Sequence, residues 1–95
     1  VHGWKLWIGD LHCNTGALGA NHLVSRWLAD ANCHADDQNI REANVAHRAG
    51  QYWGVLTWKT VEKCTAAYAA LQGKSTRDNN DDVQPLYVKY YTGIA

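Results

Sequence analysis

The chain has 95 residues, 46% of them apolar, with nine basic and nine acidic side chains and zero formal charge. That length and apolar share specify one globular domain over residues 1–95 and exclude a disordered chain. Zero net charge removes any general pull toward nucleic acid or an anionic membrane, and no apolar run approaches the ~18 residues of a membrane span.

Trp4 to Leu11 (WKLWIGDL) alternates, with Trp4, Leu6 and Ile8 on one face and Lys5 and Trp7 on the other, and reads as a half-buried strand. Cys13 to Gly19 reads as a glycine-rich turn. Asn21 then opens a helix with Leu23, Val24, Trp27, Leu28 and Ala31 at helical spacing, ending near Cys33. Asn39 to His47 reads as a polar strand, although helix or loop would suit it equally and leave a three-stranded layer. Arg48 to Gln51 supplies a turn, and Tyr52 to Thr60 (YWGVLTWKT) is the clearest strand of the chain. Thr60 caps a second helix with Val61, Cys64, Ala67, Tyr68 and Leu71 inward, and Gly73 stops it. Lys74 to Asp82 reads as a polar loop. Leu86 to Tyr91 is the last alternating strand, with Pro85 at its entry.

The order β-α-β-β-α-β predicts an α+β fold, a two-layer α/β sandwich of the split β-α-β (ferredoxin-like) kind. Two right-handed crossovers set both helices on one face of a four-stranded antiparallel sheet.

Three cysteines cannot all pair within one chain. In this topology Cys33 and Cys64 share one end of the domain and Cys13 lies at the other, so Cys33–Cys64 is the expected disulfide. It would close a loop of about 30 residues, worth about 3 kcal/mol in the chain-entropy model. Cys13 is then a free or inter-chain thiol. Without the second strand the ends exchange, and Cys13–Cys64 becomes the better pair. Three reduced cysteines in a cytosolic protein are the alternative.

The uncovered sheet face carries Lys5, Trp7, Tyr87, Lys89 and Tyr91, joined by Trp53 or Trp58, since alternation across Gly54 does not decide between them. An aromatic surface of this extent predicts a partner. A second protein subunit or self-association ranks first and a cell-wall glycan second. Single-stranded RNA on a stacking sheet ranks third, and no nucleic acid is expected, because a Lys/Arg excess and the glycine-aromatic ribonucleoprotein signature are missing.

Five histidines (His2, His12, His22, His34, His47) form no recognised ligand pattern, so no metal and no cofactor is expected. Asp30, His34 and Asp37 read as a solvated helix end. His12 and Cys13 are adjacent on a strand and point to opposite faces, which disfavours a nucleophilic pair. Gly16-Ala17-Leu18-Gly19 could hold an anion but matches no phosphate-loop pattern. No catalytic residues emerge, and the chain is expected not to be an enzyme.

With Trp4 to Leu11, Tyr52 to Thr60 and Leu86 to Tyr91 as strands and Cys33 and Cys64 tying the helices, the chain resembles the small α/β-sandwich subunits of secreted killer toxins from yeasts and smut fungi. Fungal effectors built on that scaffold are similar. The start at Val1 fits a processed chain from which a leader has been removed. The resemblance implies a secreted, non-enzymatic toxin or effector that associates with a second subunit, binds a cell surface and perturbs the membrane. The alternative is an intracellular dimer, sheet packed on sheet, binding or transforming a small molecule in a pocket lined by Trp7 and Trp58.

Overall fold

In this computed structural model, which describes residues 4–43, 50–77 and 82–91, β1 (Trp4–His12) is followed by α1 (Gly16–Asp30), β2 (Asp37–Glu42) and β3 (Gln51–Trp58). Then come α2 (Val61–Gln72), the short strands β4 (Ser75–Arg77) and β5 (Val83–Pro85), and β6 (Tyr87–Tyr90). β2, β3, β1 and β6 form one antiparallel four-stranded sheet in that spatial order, and β4 and β5 form a separate two-stranded sheet. The fold is α+β.

Strand alternation builds the core. Leu6, Ile8, Leu56 and Trp58 are fully buried, and Ile40, Tyr52 and Val88 nearly so. They meet Ala20, Val24 and Leu28 of α1 and Cys64, Ala67 and Leu71 of α2 in one cluster. β1 breaks its own alternation once. Between Ile8, paired with Gly54, and Leu11, paired with Tyr52, it holds one residue more than β3 does. This bulge passes through Gly9 and Asp10, and Asp10 takes φ +57°, a left-handed conformation Asp tolerates better than most residues. The extra residue returns Leu11 to the core face, where it is fully buried.

α1 begins at Gly16, not at Asn21, so the expected turn from Cys13 to Gly19 runs partly into helix. Glycine serves close approach at position 19, since a Cβ there would collide with the Thr15 side chain. The helix ends on a Schellman motif. Asn32 sits at φ +55°, its N–H donates to the Ala29 carbonyl (3.0 Å), and the Cys33 N–H donates to the Leu28 carbonyl (2.9 Å). Cys33 thereby turns into the core. Gln38 of β2 donates to the backbone oxygen of Asn21 (2.9 Å) and accepts from the Ser25 hydroxyl (3.2 Å), fastening α1 to the sheet edge.

β2 exists but starts two residues before the expected Asn39, and residues 44–47 of the expected strand lie outside the described residues. α2 has the expected cap and stop: the Thr60 hydroxyl accepts from the Lys63 N–H (3.4 Å) and Gly73 closes the helix. Val61, expected inward, is exposed. Tyr68 stacks on Tyr90 of β6 at 4.6 Å, seating α2 over that edge.

The stretch Lys74 to Asp82, read as polar loop, instead contributes β4, and Pro85 ends β5 rather than opening the last strand. The cause is tertiary. The nearly buried Thr76 hydroxyl accepts from the His12 N–H (2.9 Å) and donates to the Asp10 carbonyl (3.5 Å). The hairpin thus satisfies the end of β1 where β6, whose pairing stops at Gly9, no longer reaches.

Candidate functional site

The sheet face opposite the core is built from the other half of each strand's alternation. β1 supplies Lys5 and Trp7, β3 supplies Trp53, β2 supplies Asn39 and Arg41, and β6 supplies Tyr87 and Lys89. Register assembles them. Trp7 lies between Val55 of β3 and Lys89 of β6, and Trp53 lies beside Arg41 of β2. Each of the two central strands carries a tryptophan, and each edge strand carries a cation beside it.

Trp7 anchors the platform. Its indole lies over Gly9, where a Cβ would strike the ring. Tyr87 meets it edge-on with ring centroids 5.5 Å apart. The Lys89 ammonium sits 5.4 Å from the Trp7 ring centroid, and Lys5 holds Tyr91 at 5.8 Å by the same kind of contact. Between Trp7 and Trp53 opens a cavity of about 120 Å³, bordered by Gly9, Asp10, Ala43, Gln51 and Tyr52. At its mouth the Gln51 side-chain amide donates to Asp10 Oδ1 at 2.7 Å, both groups reaching solvent. Two flat indoles and a polar pair border the cavity, whose charged lining residue is Asp10, while Lys5, Arg41 and Lys89 stand on the surrounding sheet face.

Six of the expected face residues, Lys5, Trp7, Trp53, Tyr87, Lys89 and Tyr91, come together here. Trp58 does not: it is fully buried, and its indole N–H donates to the Cys33 carbonyl at 2.8 Å. β3 runs through Gly54 without a bulge, so Tyr52, Gly54, Leu56 and Trp58 all turn inward while Trp53 turns out. A pocket of Trp7 and Trp58 is thereby replaced by one of Trp7 and Trp53. Arg41, Asp10 and Gln51 went unnoticed in the sequence. Arg41 had a signal, its alternation against the buried Ile40, but the role of Asp10 depends on a bulge that alternation does not announce.

A second hollow, about 480 Å³, runs along α1 beside the β1–α1 loop and is lined by Cys13, Thr15, Gly19, His22, Leu23 and Arg26. The Cys13 sulfur lies 3.1 Å from the Thr15 hydroxyl, its hydrogen-bond partner in place of an imidazole. All three cysteines are free thiols. Cys13 is half-buried and sits at the sheet end where its N–H donates to the Gly50 carbonyl. Cys33 and Cys64 are buried in the core, near the other end of β3. Burial raises both thiols above their ordinary range, with Lys63 opposing part of the effect at Cys33.

No protein-family model matches the chain, and no curated protein does. Function therefore has to be argued from the geometry. Among the described residues no group of three or more His, Cys, Asp or Glu could hold a metal ion, and no helix is long and apolar enough to cross a membrane. Among them, too, every buried side-chain nitrogen or oxygen has a hydrogen-bond partner, so no orphaned polar group marks a concealed site.

Proposed function

We propose that this domain binds single-stranded RNA on the open face of its sheet. The observation that carries the reading is the pairing of Trp7 on β1 with Trp53 on β3 across one cavity, flanked by Lys89 and Arg41 on the two edge strands. Bases stack on aromatic rings exposed on central strands, and nearby cations hold the phosphates.

Topology supports it. We read β1-α1-β2-β3-α2-β6 with strand order β2-β3-β1-β6 as the split β-α-β, ferredoxin-like arrangement. In RNA-binding sheets of four strands the aromatic-glycine signature lies on a central strand. Here Trp53 and Gly54 stand where that run has an aromatic and a glycine, while Gln51, Tyr52 and Val55 depart from it, so the signature itself is missing and the reading rests on the two indoles. Zero net charge fits a low-affinity, stacking-led binder whose cations are local. The secreted-toxin reading draws on the same order of elements and on a Cys33–Cys64 bridge. The paired indoles set RNA ahead of it.

Titration of a mixed-sequence single-stranded RNA, followed by tryptophan quenching and by anisotropy of the labelled strand, tests the reading. Trp7→Ala or Trp53→Ala should weaken binding about 5–150-fold, the loss of one stacked base at about 1–3 kcal/mol. Arg26→Ala, on α1, should leave it unchanged. A shallow salt dependence, with a log–log slope near roughly −2 for the three cations of the face, is expected. No binding at low salt, or equal binding by the alanine variants, would sink the proposal. Matched DNA tests whether the 2′-hydroxyl matters.

A further inference from the structure

We propose that Asp10, held by Gln51 at the mouth of the cavity between Trp7 and Trp53, selects a guanine base. The inference rests on the RNA-binding reading of this face and names what that face prefers.

Bulges re-aim a side chain, and the one in β1 does so at Asp10. At φ +57° Asp10 leaves the strand's alternation, and its carboxylate stands beside the cavity that the two indoles border. Gln51 donates to Oδ1 at 2.7 Å, which orients the carboxylate and leaves Oδ2 and the second lone pair of Oδ1 open to a ligand. The Gln51 amide keeps a second N–H and its own oxygen. The pair therefore offers acceptors side by side with a donor next to them.

Guanine alone presents the complement on its Watson–Crick edge. Its N1–H and N2–H are adjacent donors that a carboxylate takes together, and its O6 accepts from an amide N–H. Adenine sets its N1 lone pair against the carboxylate. Uracil offers one donor between two acceptors, and cytosine one donor beside two acceptors. For each of these the donors and acceptors of the pair and the base are badly matched, which costs affinity and discriminates against the wrong base. A carboxylate on a phosphate-binding face also repels the strand in general, so Asp10 lowers affinity for every sequence that lacks its base.

Eight-nucleotide uridine-rich RNAs differing at one central position (G, A, C, U or inosine) provide the test, by the same quenching and anisotropy titration. The G strand should bind about 5–150-fold more tightly than the A strand, the range for a well-formed bidentate base contact. Inosine, which lacks the N2 amino group, should fall between them. Asp10→Asn, whose side chain suits the left-handed backbone at least as well, should keep its melting temperature, lose the preference for G and bind the A strand more tightly. Equal binding of all five strands, with Trp7→Ala still defective, overturns the guanine assignment and leaves the RNA-binding face standing. Binding of none of them overturns both.

Discussion

Trp58 and Cys33 are joined by a buried hydrogen bond, the indole N–H donating to the backbone carbonyl at 2.8 Å. It ties the last residue of β3 to the second residue beyond Ala31, the α1 C-cap, and gives a partner to a carbonyl enclosed in the core. Trp58→Phe removes the donor and some volume while keeping an aromatic ring. A loss of about 1–3 kcal/mol is expected from the orphaned carbonyl. Each kcal/mol should lower the melting temperature by about 4–8 °C in a domain of this size. RNA affinity per folded molecule should not change, because Trp58 is fully buried. An unchanged melting temperature with lost binding would put Trp58 on the wrong face.

Two glycines of the sheet should respond to alanine in opposite ways. At Gly54 the new Cβ would come within 2.5 Å of the Asn39 backbone oxygen, so β2 and β3 must separate. Gly54→Ala should cost about 1–3 kcal/mol, the usual range for overpacking. At Gly9 the obstacle is the far end of the Trp7 ring. The indole can swing away, so Gly9→Ala should melt close to the parent chain yet bind RNA more weakly. Denaturant titration beside RNA titration separates the two. Parent-like binding by Gly9→Ala would mean that the position of Trp7 is not critical.

The cysteines should react in a fixed order. Cys13 is half-buried, and the other two thiols are enclosed with their ionisation disfavoured. Iodoacetamide at neutral pH should therefore label Cys13 first and reach Cys33 and Cys64 only after denaturation, read by intact mass and peptide mapping. A Cys33–Cys64 linked peptide in the natively isolated protein would shift the balance toward the secreted-toxin reading.

Stability should fall at alkaline pH. Cys33 and Cys64 are raised from 9.0 chiefly by burial, and Tyr52 from 10.0 by burial and then by Glu42, to which its hydroxyl donates at 3.3 Å. The unfolded chain releases these protons first as pH climbs, so above about pH 9 the folded state binds more of them and rising pH favours unfolding. Below that range their contribution is complete. Denaturant midpoints at pH 7.5, 9 and 10.5 should decline across the last interval, less steeply in a Cys33→Ala/Cys64→Ala variant. A flat profile would mean that these groups titrate as in the unfolded chain.

Much of the fold was legible because its signals are local. Leu6, Ile8, Leu56 and Val88 follow from period-two alternation, and the limits of α2 follow from Thr60 and Gly73. The start of α1 was not, because the glycines at 16 and 19 suggest a turn until Thr15 is seen packed where a Cβ would stand. The β4–β5 hairpin escaped notice for the same reason. The residues of β4 are polar, and the partners of its Thr76, His12 and Asp10, lie more than sixty positions away.

The candidate face divides along the same line. Local sequence determined that Lys5 and Trp7 share a face, that Tyr87, Lys89 and Tyr91 share another stretch, and that the chain has no net charge with which to bind nonspecifically. Only the tertiary structure decided that Trp53 rather than Trp58 joins them, that Arg41 completes the far edge, and that a bulge brings Asp10 beside Gln51. Alternation is a property of one strand, whereas neighbourhood in a sheet depends on long-range pairing. β1 reaches β3 only after α1 and β2 have intervened, and nothing within either strand's own residues states which of its faces the other will extend.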